Sequence, residues 1–415
     1  MKRSFQLMAL VCACAPSMAA GQTLRLAQAL EQTRAAHPLL RAEALGLQAE
    51  RARAELDSLP TPYRLGLQLE NAAGTGTLSG VQAAEATLQV SRVYEGQARR
   101  TARRAQAEHA VAVKAFQGAL SLSQLERQTK LHFIAVAAAQ RRLALSRQRL
   151  DGAKAMREEI KRWVDAARNP ESDLVLAELS LSEQELALEH ATHAFVSARR
   201  QLSALWSSRA KPSAFESVEY DWDLEVEPPA FEVLKRQAGS AWQAQYHQLR
   251  RQQSEARIAV LKHARRPDFE FSAGLRRLEA NNDQALVLAV SMPLGQASRA
   301  SLAERAAVLD LADQELRAEA EQLALEQRLF DHYQELRHAR LESLKLRTQM
   351  MPMAEQAEAF AKRAFERGRF SFKQLHEAQS MLLSLQDRLL EAETQAHSLT
   401  VELDAMCQSL ESHHE

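Results

Sequence analysis

The segment LHEAQSMLLSLQDRLLEAETQAHSLTVELDAMCQSL, residues 375–410, decides the fold. Leu375, Leu382, Leu389, Ala396, Leu403 and Leu410 recur every seven residues, and Ala378, Leu385, Ala392, Leu399 and Met406 fill the position three further on. Apolar residues at both positions draw one stripe along a helix, the seam of a helix–helix contact. The same seam stands 201 residues earlier. Leu174, Leu181, Leu188, Phe195 and Leu202 hold its first position, and Ala177, Ala191, Ala198 and Leu205 its second, with Gln184 the one polar intruder. Shared period and shared register mean that one unit is written twice, over 21–215 and again over 216–415.

A helix breaker precedes each seam: Asn169-Pro170 for the first, Gly368 for the second. Ahead of each breaker runs another helical stretch. Residues 97–165 hold no proline and two glycines, Gly118 and Gly152. Residues 298–366 hold only Pro352, and there Leu302, Leu309, Leu316, Leu323, Phe330, Leu344 and Met351 follow a seven-residue period that Arg337 interrupts. Such a stretch spans about 100 Å at ~1.5 Å per residue. Each repeat is therefore expected to contain a long antiparallel helical hairpin, 97–207 with its tip near 165–172 and 298–411 with its tip near 366–371.

Between the helices the period falls to two. Tyr63, Leu65, Leu67 and Leu69 alternate with Arg64, Gly66, Gln68 and Glu70, and Ala86, Leu88 and Val90 alternate with polar neighbours. Phe269, Phe271, Ala273 and Leu275 repeat the pattern, while 286–292 is apolar at most positions. Alternation marks strands with one wet and one apolar face, expected at 63–71, 85–94, 268–276 and 284–292. Prolines 60, 62 and 267 precede the pairs, and a Gly-rich loop (71–83) and a polar turn at Asn281-Asn282 join their members. Four strands cannot close a barrel, and open edges are forbidden in lipid. Strands that cross a membrane must then be pooled, and three chains would supply twelve, an even number. The expected class is mainly α with a small β portion.

Composition agrees. Lys plus Arg and Asp plus Glu number 53 each, so the chain lacks the basic excess of a nucleic-acid binder. Thirteen Gly and eleven Pro are few among 415 residues rich in Ala, Leu, Gln, Glu and Arg, the strong helix formers. Lys2, Arg3, the apolar run from Phe5 to Ala15, and Ser17 and Ala19 read as a secretion signal over 1–20; a lipoprotein signal ending at Cys14 is the alternative. Beyond it only Cys407 remains, so no intrachain disulfide is expected. No stretch elsewhere is apolar enough for a spanning helix.

Catalytic motifs are missing: there is no phosphate-binding G-x-x-x-x-G-K, no nucleophile elbow and no H-E-x-x-H. The reading is not an enzyme, with no cofactor. His190 and His193 share a helix face, and His413 and His414 adjoin each other, but neither pair has a third ligand nearby; no metal site is expected. Arg99, Arg100, Arg103 and Arg104 read either as a solvated helix face or as an anchor to anionic headgroups. Asn169, Pro170, Arg367, Gly368, Arg369, Phe370 and Ser371 form the two tips, where an exposed Phe suits insertion into a partner and Gly suits a helix cap.

The order helix, strand pair, long hairpin, then the same again resembles the TolC-like outer-membrane efflux proteins over nearly the whole mature chain. The segment FERGRFSFKQLHEAQSMLLSLQDRLLEAE (365–393) looks like that family's second hairpin tip. LGLQLENAAGTG (65–76) is similar to the strand and loop of its CzcC-like subgroup, which serves heavy-metal efflux. The resemblance implies a homotrimer, a twelve-stranded barrel among outer-membrane lipids and a periplasmic helical tunnel. It further implies docking to a periplasmic adaptor and an inner-membrane RND-type pump. Several members narrow the periplasmic end with acidic residues beyond the second tip. The matching positions here are Gln374 and Glu377, with Asp173 the first-repeat counterpart of Gln374; Gln374 departs from the acidic pattern. The alternative is a periplasmic adaptor or coiled-coil scaffold without a pore, which would show one hairpin flanked by Gly- and Val-rich β domains.

Overall fold

The structure, a computed structural model, describes residues 23–206, 215–223, 227–239 and 242–407. The expected secretion signal, with Cys12 and Cys14, lies outside the described residues, as do Leu410, His413 and His414. The first half contains β1 (Thr23–Leu24), α1 (Leu26–Ala36), α2 (Pro38–Ser58), β2 (Tyr63–Glu70), β3 (Glu85–Tyr94), α3 (Gln97–Asp165) and α4 (Glu171–Ser203). The second contains β4 (Ser217–Val218), α5 (Phe231–Gly239), α6 (Trp242–His263), β5 (Phe269–Leu278), β6 (Asp283–Ser291), α7 (Gln296–Lys345), α8 (Met351–Glu366) and α9 (Phe372–Cys407).

Helix α3 fills all 69 positions of its proline-free stretch. The corresponding stretch of the second repeat differs: Leu346–Met350, between α7 and α8, forms a π-helical turn. Pro352 is the reason. Proline lacks an N–H, and in a regular helix its ring would meet the carbonyl four residues back, at Thr348. The wider turn, closed by Met351 N–H donating to the Leu346 carbonyl, accommodates the ring without ending the helix.

The two hairpin tips share one geometry. In α3's cap Ala167 N–H donates to Val164 O and Arg168 N–H to Trp163 O; after α8, Gly368 N–H donates to Phe365 O and Arg369 N–H to Ala364 O. The pivot residues, Ala167 at φ 55° and Gly368 at φ 68°, are left-handed and stand 201 positions apart. Both turns are Schellman caps, but only the second uses the residue that adopts this conformation freely.

The chain forms two compact units, and neither coincides with a sequence repeat. One comprises 23–37, 124–228 and 332–403 within the described residues; the other comprises 38–123, 229–331 and 404–407. Each takes segments from both repeats, because α3 and α7 are long enough to serve both units.

The second unit holds the main sheet, antiparallel throughout, in the order β2-β3-β5-β6. The two strand pairs are thus joined through β3–β5. Its helices make side-chain contacts in the sequence α2–α3–α6–α7: Lys114 to Glu43 at 2.6 Å, Phe116 stacked on Tyr246 at 6.0 Å, Ser254 to Gln314 at 2.8 Å.

The first unit holds the parallel β1–β4 pair and both tips. Its apolar core near the tips joins Ile160, Ala177, Ala361, Phe365, Phe372 and Leu375, with Trp163 centred 5.0 Å from Phe365. Farther from the tips the core contains a charge. Glu393 of α9 is fully buried and accepts from Arg141 of α3 at 2.7 Å and from Arg347 of the π-turn. Arg141 also lies over the Trp222 ring, which packs against Tyr220 and His397. Two guanidiniums offset the desolvation of one carboxylate, and Arg347 also lies 3.7 Å from Asp223.

Three outcomes are expected from unfolding measurements in detergent. Gly368→Ala costs about 1 kcal/mol, whereas Ala167→Gly gains at most about that amount, since added chain entropy opposes relief of the strained pivot. Glu393→Gln costs roughly 3 kcal/mol, whereas Glu377→Gln, whose exposed pair with Lys373 spans 4.0 Å, changes stability by under about 0.5 kcal/mol. Burial holds His397 below the ordinary histidine value of 6.5, with Arg340 acting in the same direction and the Trp222 backbone, Glu393 and Asp221 against it. The unfolded chain therefore takes up this proton first, so stability falls as pH drops below ~6.5 toward the lower folded-state value, and His397→Phe flattens that fall.

Candidate functional site

Strand register sorts the side chains of the main sheet into two unlike faces. Paired rows read Leu67–Leu88–Leu275–Leu286, Leu65–Val90–Ala273–Leu288 and Tyr63–Arg92–Phe271–Val290. These large apolar groups are bare: Leu65 is 74%, Leu67 76% and Leu288 70% exposed. Rows of the opposite face read Gln68–Thr87–Arg276–Ala285, Gly66–Gln89–Gly274–Val287 and Arg64–Ser91–Ser272–Ala289. A sheet with one face this apolar, and uncovered by any of the described residues, is suited to a nonaqueous neighbour on that side and water on the other. Its outer strands, β2 and β6, each pair on one side only among the described residues.

The helices repeat the pattern. In the sheet-bearing unit the exposed large apolar side chains lie on the outer helices, Leu39, Leu45 and Leu56 on α2 and Leu302, Leu309, Leu316 and Leu323 on α7, and the described parts of α3 and α6 there have none. In the tip-bearing unit they gather on α4 (Val175, Leu179, Leu186) and on the α7–α8 run (Leu344, Met353, Phe360). The seven-residue seam of α7 is therefore not internal to the chain. The matching seams of α4 and α9 also differ, since α9 buries nine residues and α4 five. The reason is position: α9 is bonded on one side to α3, Arg149 to Asp387 at 3.0 Å, and on the other to α7, Arg388 to Glu342 at 2.6 Å.

At the tips, Phe370 is 42% exposed beside exposed Arg367, Gly368, Arg369 and Ser371. Phe372, two residues on, is 1% exposed and anchors the core. Asn169 donates to Asp173 at 2.8 Å, and Pro170 lies in the turn ahead of α4. Asp173 and Gln374 occupy equivalent places in the first turns of α4 and α9. Ser371 N–H donates to Gln374 Oε1 at 3.0 Å and Gln374 N–H to Ser371 Oγ at 3.4 Å, a capping box. Glu377 is exposed, one turn farther along. The structure thus gives Gln374 a helix-capping role that spacing alone did not reveal, whereas Asp173 bonds the Asn169 side chain and caps no backbone N–H.

The arginine run is mostly tied down. Arg99 pairs with Asp268, Arg103 reaches Glu95 at 3.0 Å and the Leu59 carbonyl at 3.1 Å, and Arg100 reaches the Ser58 carbonyl at 3.4 Å. Arg100 and Arg103 thus close the C-terminal end of α2; Arg104 is exposed. His190 and His193 are exposed on α4, and His193 lies 3.8 Å from Glu189. Among the described residues no three His, Cys, Asp or Glu side chains are placed to hold a metal ion. Burial, followed by Asp404, pushes the Cys407 thiol up to about 11, and it donates to the Leu234 carbonyl at 3.6 Å. No helix among the described residues is long and apolar enough to cross a membrane.

Sequence reading missed Glu393 and Arg276. Glu393 adjoins the second seam position Ala392, where a charge reads as a solvated flank. Arg276 sits on the polar face and reaches Thr87 at 2.9 Å, Glu85 at 2.9 Å and Glu70 at 3.1 Å, drawing together strands distant in the chain.

No family model matches the chain. It is 27% identical over 274 residues to the cobalt-zinc-cadmium resistance protein CzcC of Cupriavidus metallidurans, a match over 66% of this chain and 65% of that relative's length. Its fold is that of CusC, in crystal structures concerned with folding and transmembrane channel formation: TM-score 0.78, 13% identity, 98% of this chain and 99% of the other. The outer-membrane protein VceC of Vibrio cholerae matches with TM-score 0.73 and 14% identity over 93% and 96% of the two chains. In sequence, then, the chain is similar to a metal-resistance protein, and in fold it matches solved outer-membrane channel structures.

Proposed function

We propose that the protein is the outer-membrane channel subunit of a tripartite efflux system and conducts heavy-metal cations passively to the exterior. The carrying observation is the main sheet, with its bare apolar face and its open β2 and β6 edges. In hydrocarbon every outward N–H and C=O of those edges needs a partner, and another copy of the chain supplies it when β6 meets the next copy's β2. Contact between unlike edges closes a ring. Three copies give twelve strands, within the range of closed outer-membrane barrels. The bare leucines of the outer helices then meet those of neighbouring copies as the barrel continues into a periplasmic helical tunnel.

In this reading the energy comes from an inner-membrane RND-type pump, and a periplasmic adaptor bridges pump and channel. The tips are the docking end, with Phe370, Arg367 and Arg369 presented beyond the buried Phe372 anchor and the Asn169-Pro170 turn beside them. Asp173 and Glu377 supply the carboxylates of the periplasmic constriction, and the amide Gln374 lies beside them. The cargo is read from kinship to CzcC, a cobalt-zinc-cadmium resistance protein by name. A pore-free adaptor fits less well, since two long hairpins are present where one flanked by β domains would be expected.

The purified protein is expected to run as a trimer that resists heating in mild detergent and to raise the conductance of planar bilayers. A monomer extracted by salt, with no conductance, overturns the reading. Leu67→Arg, on the apolar face, should cost about 2–4 kcal/mol in the membrane and abolish assembly, whereas Gln68→Arg, on the opposite face, should assemble. A deletion strain should grow less well than its parent on cobalt, zinc or cadmium; equal growth on all three removes the metal assignment and leaves the channel standing.

A further inference from the structure

One end of the main sheet leads into helices at all four strands; the other end carries the 71–84 connection and the 279–282 turn. At this loop end the polar face carries an acidic row. Register aligns Glu70, Glu85, Leu278 and Asp283 across β2, β3, β5 and β6. One row inward stands Arg276, whose guanidinium spans the row instead of pointing into open space. It holds Glu85 at 2.9 Å and Glu70 at 3.1 Å, while its Nε donates to Thr87. The second oxygen of each carboxylate is occupied as well: Asn71 donates to Glu85 at 3.1 Å and Gln68 to Glu70 at 3.1 Å. Each chain thus places three acids and one fixed guanidinium on this rim.

On the barrel reading above, this face lines the lumen and this end is the outward mouth. There we infer that Arg276 is a specificity-determining residue: it keeps the acidic rim attractive to passing cations while denying them a chelating site. Three carboxylates against one arginine leave the rim net negative, which concentrates cations at the exit. Two carboxylates of neighbouring strands are also the oxygen donors that a divalent cation would take up together. The guanidinium occupies those oxygens through its own fork, a geometry that a metal ion cannot share. Conduction demands this compromise, since a cargo held at the exit blocks the pore.

The test is single-channel recording of the purified assembly in potassium chloride with zinc added on the loop side. The parent channel should prefer potassium to chloride and conduct in zinc with little block. Arg276→Gln should be blocked to half its current at a roughly tenfold lower zinc concentration, with stronger cation preference. Adding Glu70→Gln and Glu85→Gln to that variant should restore the parent's tolerance of zinc. Unchanged zinc sensitivity in Arg276→Gln overturns the inference and leaves the channel reading intact, whereas a parent that does not conduct overturns both. Should Arg276→Gln fail to assemble, Glu70→Gln/Glu85→Gln in the parent decides: its reversal potential in a salt gradient must move toward zero, and an unmoved potential overturns the inference.

Discussion

A strand at the margin of a sheet offers its outward N–H and C=O groups to whatever lies beside it. In water those groups are hydrated; in hydrocarbon each unpaired one costs several kcal/mol. Here the marginal strands β2 and β6 belong to a sheet whose side chains on one face are mainly apolar and bare, with Arg92 and Arg277 its two charges. The same residues that suit the sheet to lipid therefore make an isolated chain unfit for it. On the channel reading proposed above, further copies of the chain supply the missing partners, and the bare leucines on the outermost helices call for the same neighbours.

Duplication explains how one chain meets this need twice. The repeats place equivalent pivots at Ala167 and Gly368 and equivalent first-turn polar residues at Asp173 and Gln374. They have diverged in chemistry while keeping geometry. The first pivot tolerates a strained alanine where the second uses glycine, and the first turn of α4 binds the Asn169 side chain through a carboxylate where that of α9 closes a capping box through an amide. Burial has diverged further, because α9 lies between α3 and α7 whereas α4 does not.

What could be read from the sequence followed from periodicity. Heptads located the long helices, alternation located the four strands, and breakers located both tips. What escaped depended on partners remote in the chain. Glu393 looks like a surface charge until Arg141 and Arg347 arrive from 252 and 46 residues away. The arginines at 99, 100 and 103 look like a solvated patch until Asp268 and the end of α2 are placed beside them. At the tip, Phe370 and Phe372 differ only in which side of a turn they occupy, and composition carries no sign of that. The left-handed Ala167 gave no signal because the residue that usually marks such a turn is missing. The π-turn was foreshadowed by Pro352, but not its form.

That wide turn alters the phase of everything after it. Counting sevens from exposed Leu344 arrives at Met351 and Glu358, both half-buried, while the bare side chains are Met353 and Phe360. The turn advances the chain without a matching rotation, much as a slipped tooth resets a gear. It also sets Arg347 onto Glu393 and buries Leu346 against α9. A helix regularised at this point would carry its lower apolar stripe around to a different azimuth and withdraw one of the two cations from a carboxylate that has no water to turn to. A single backbone irregularity thus couples the outward chemistry of α8 to the charge balance inside the bundle.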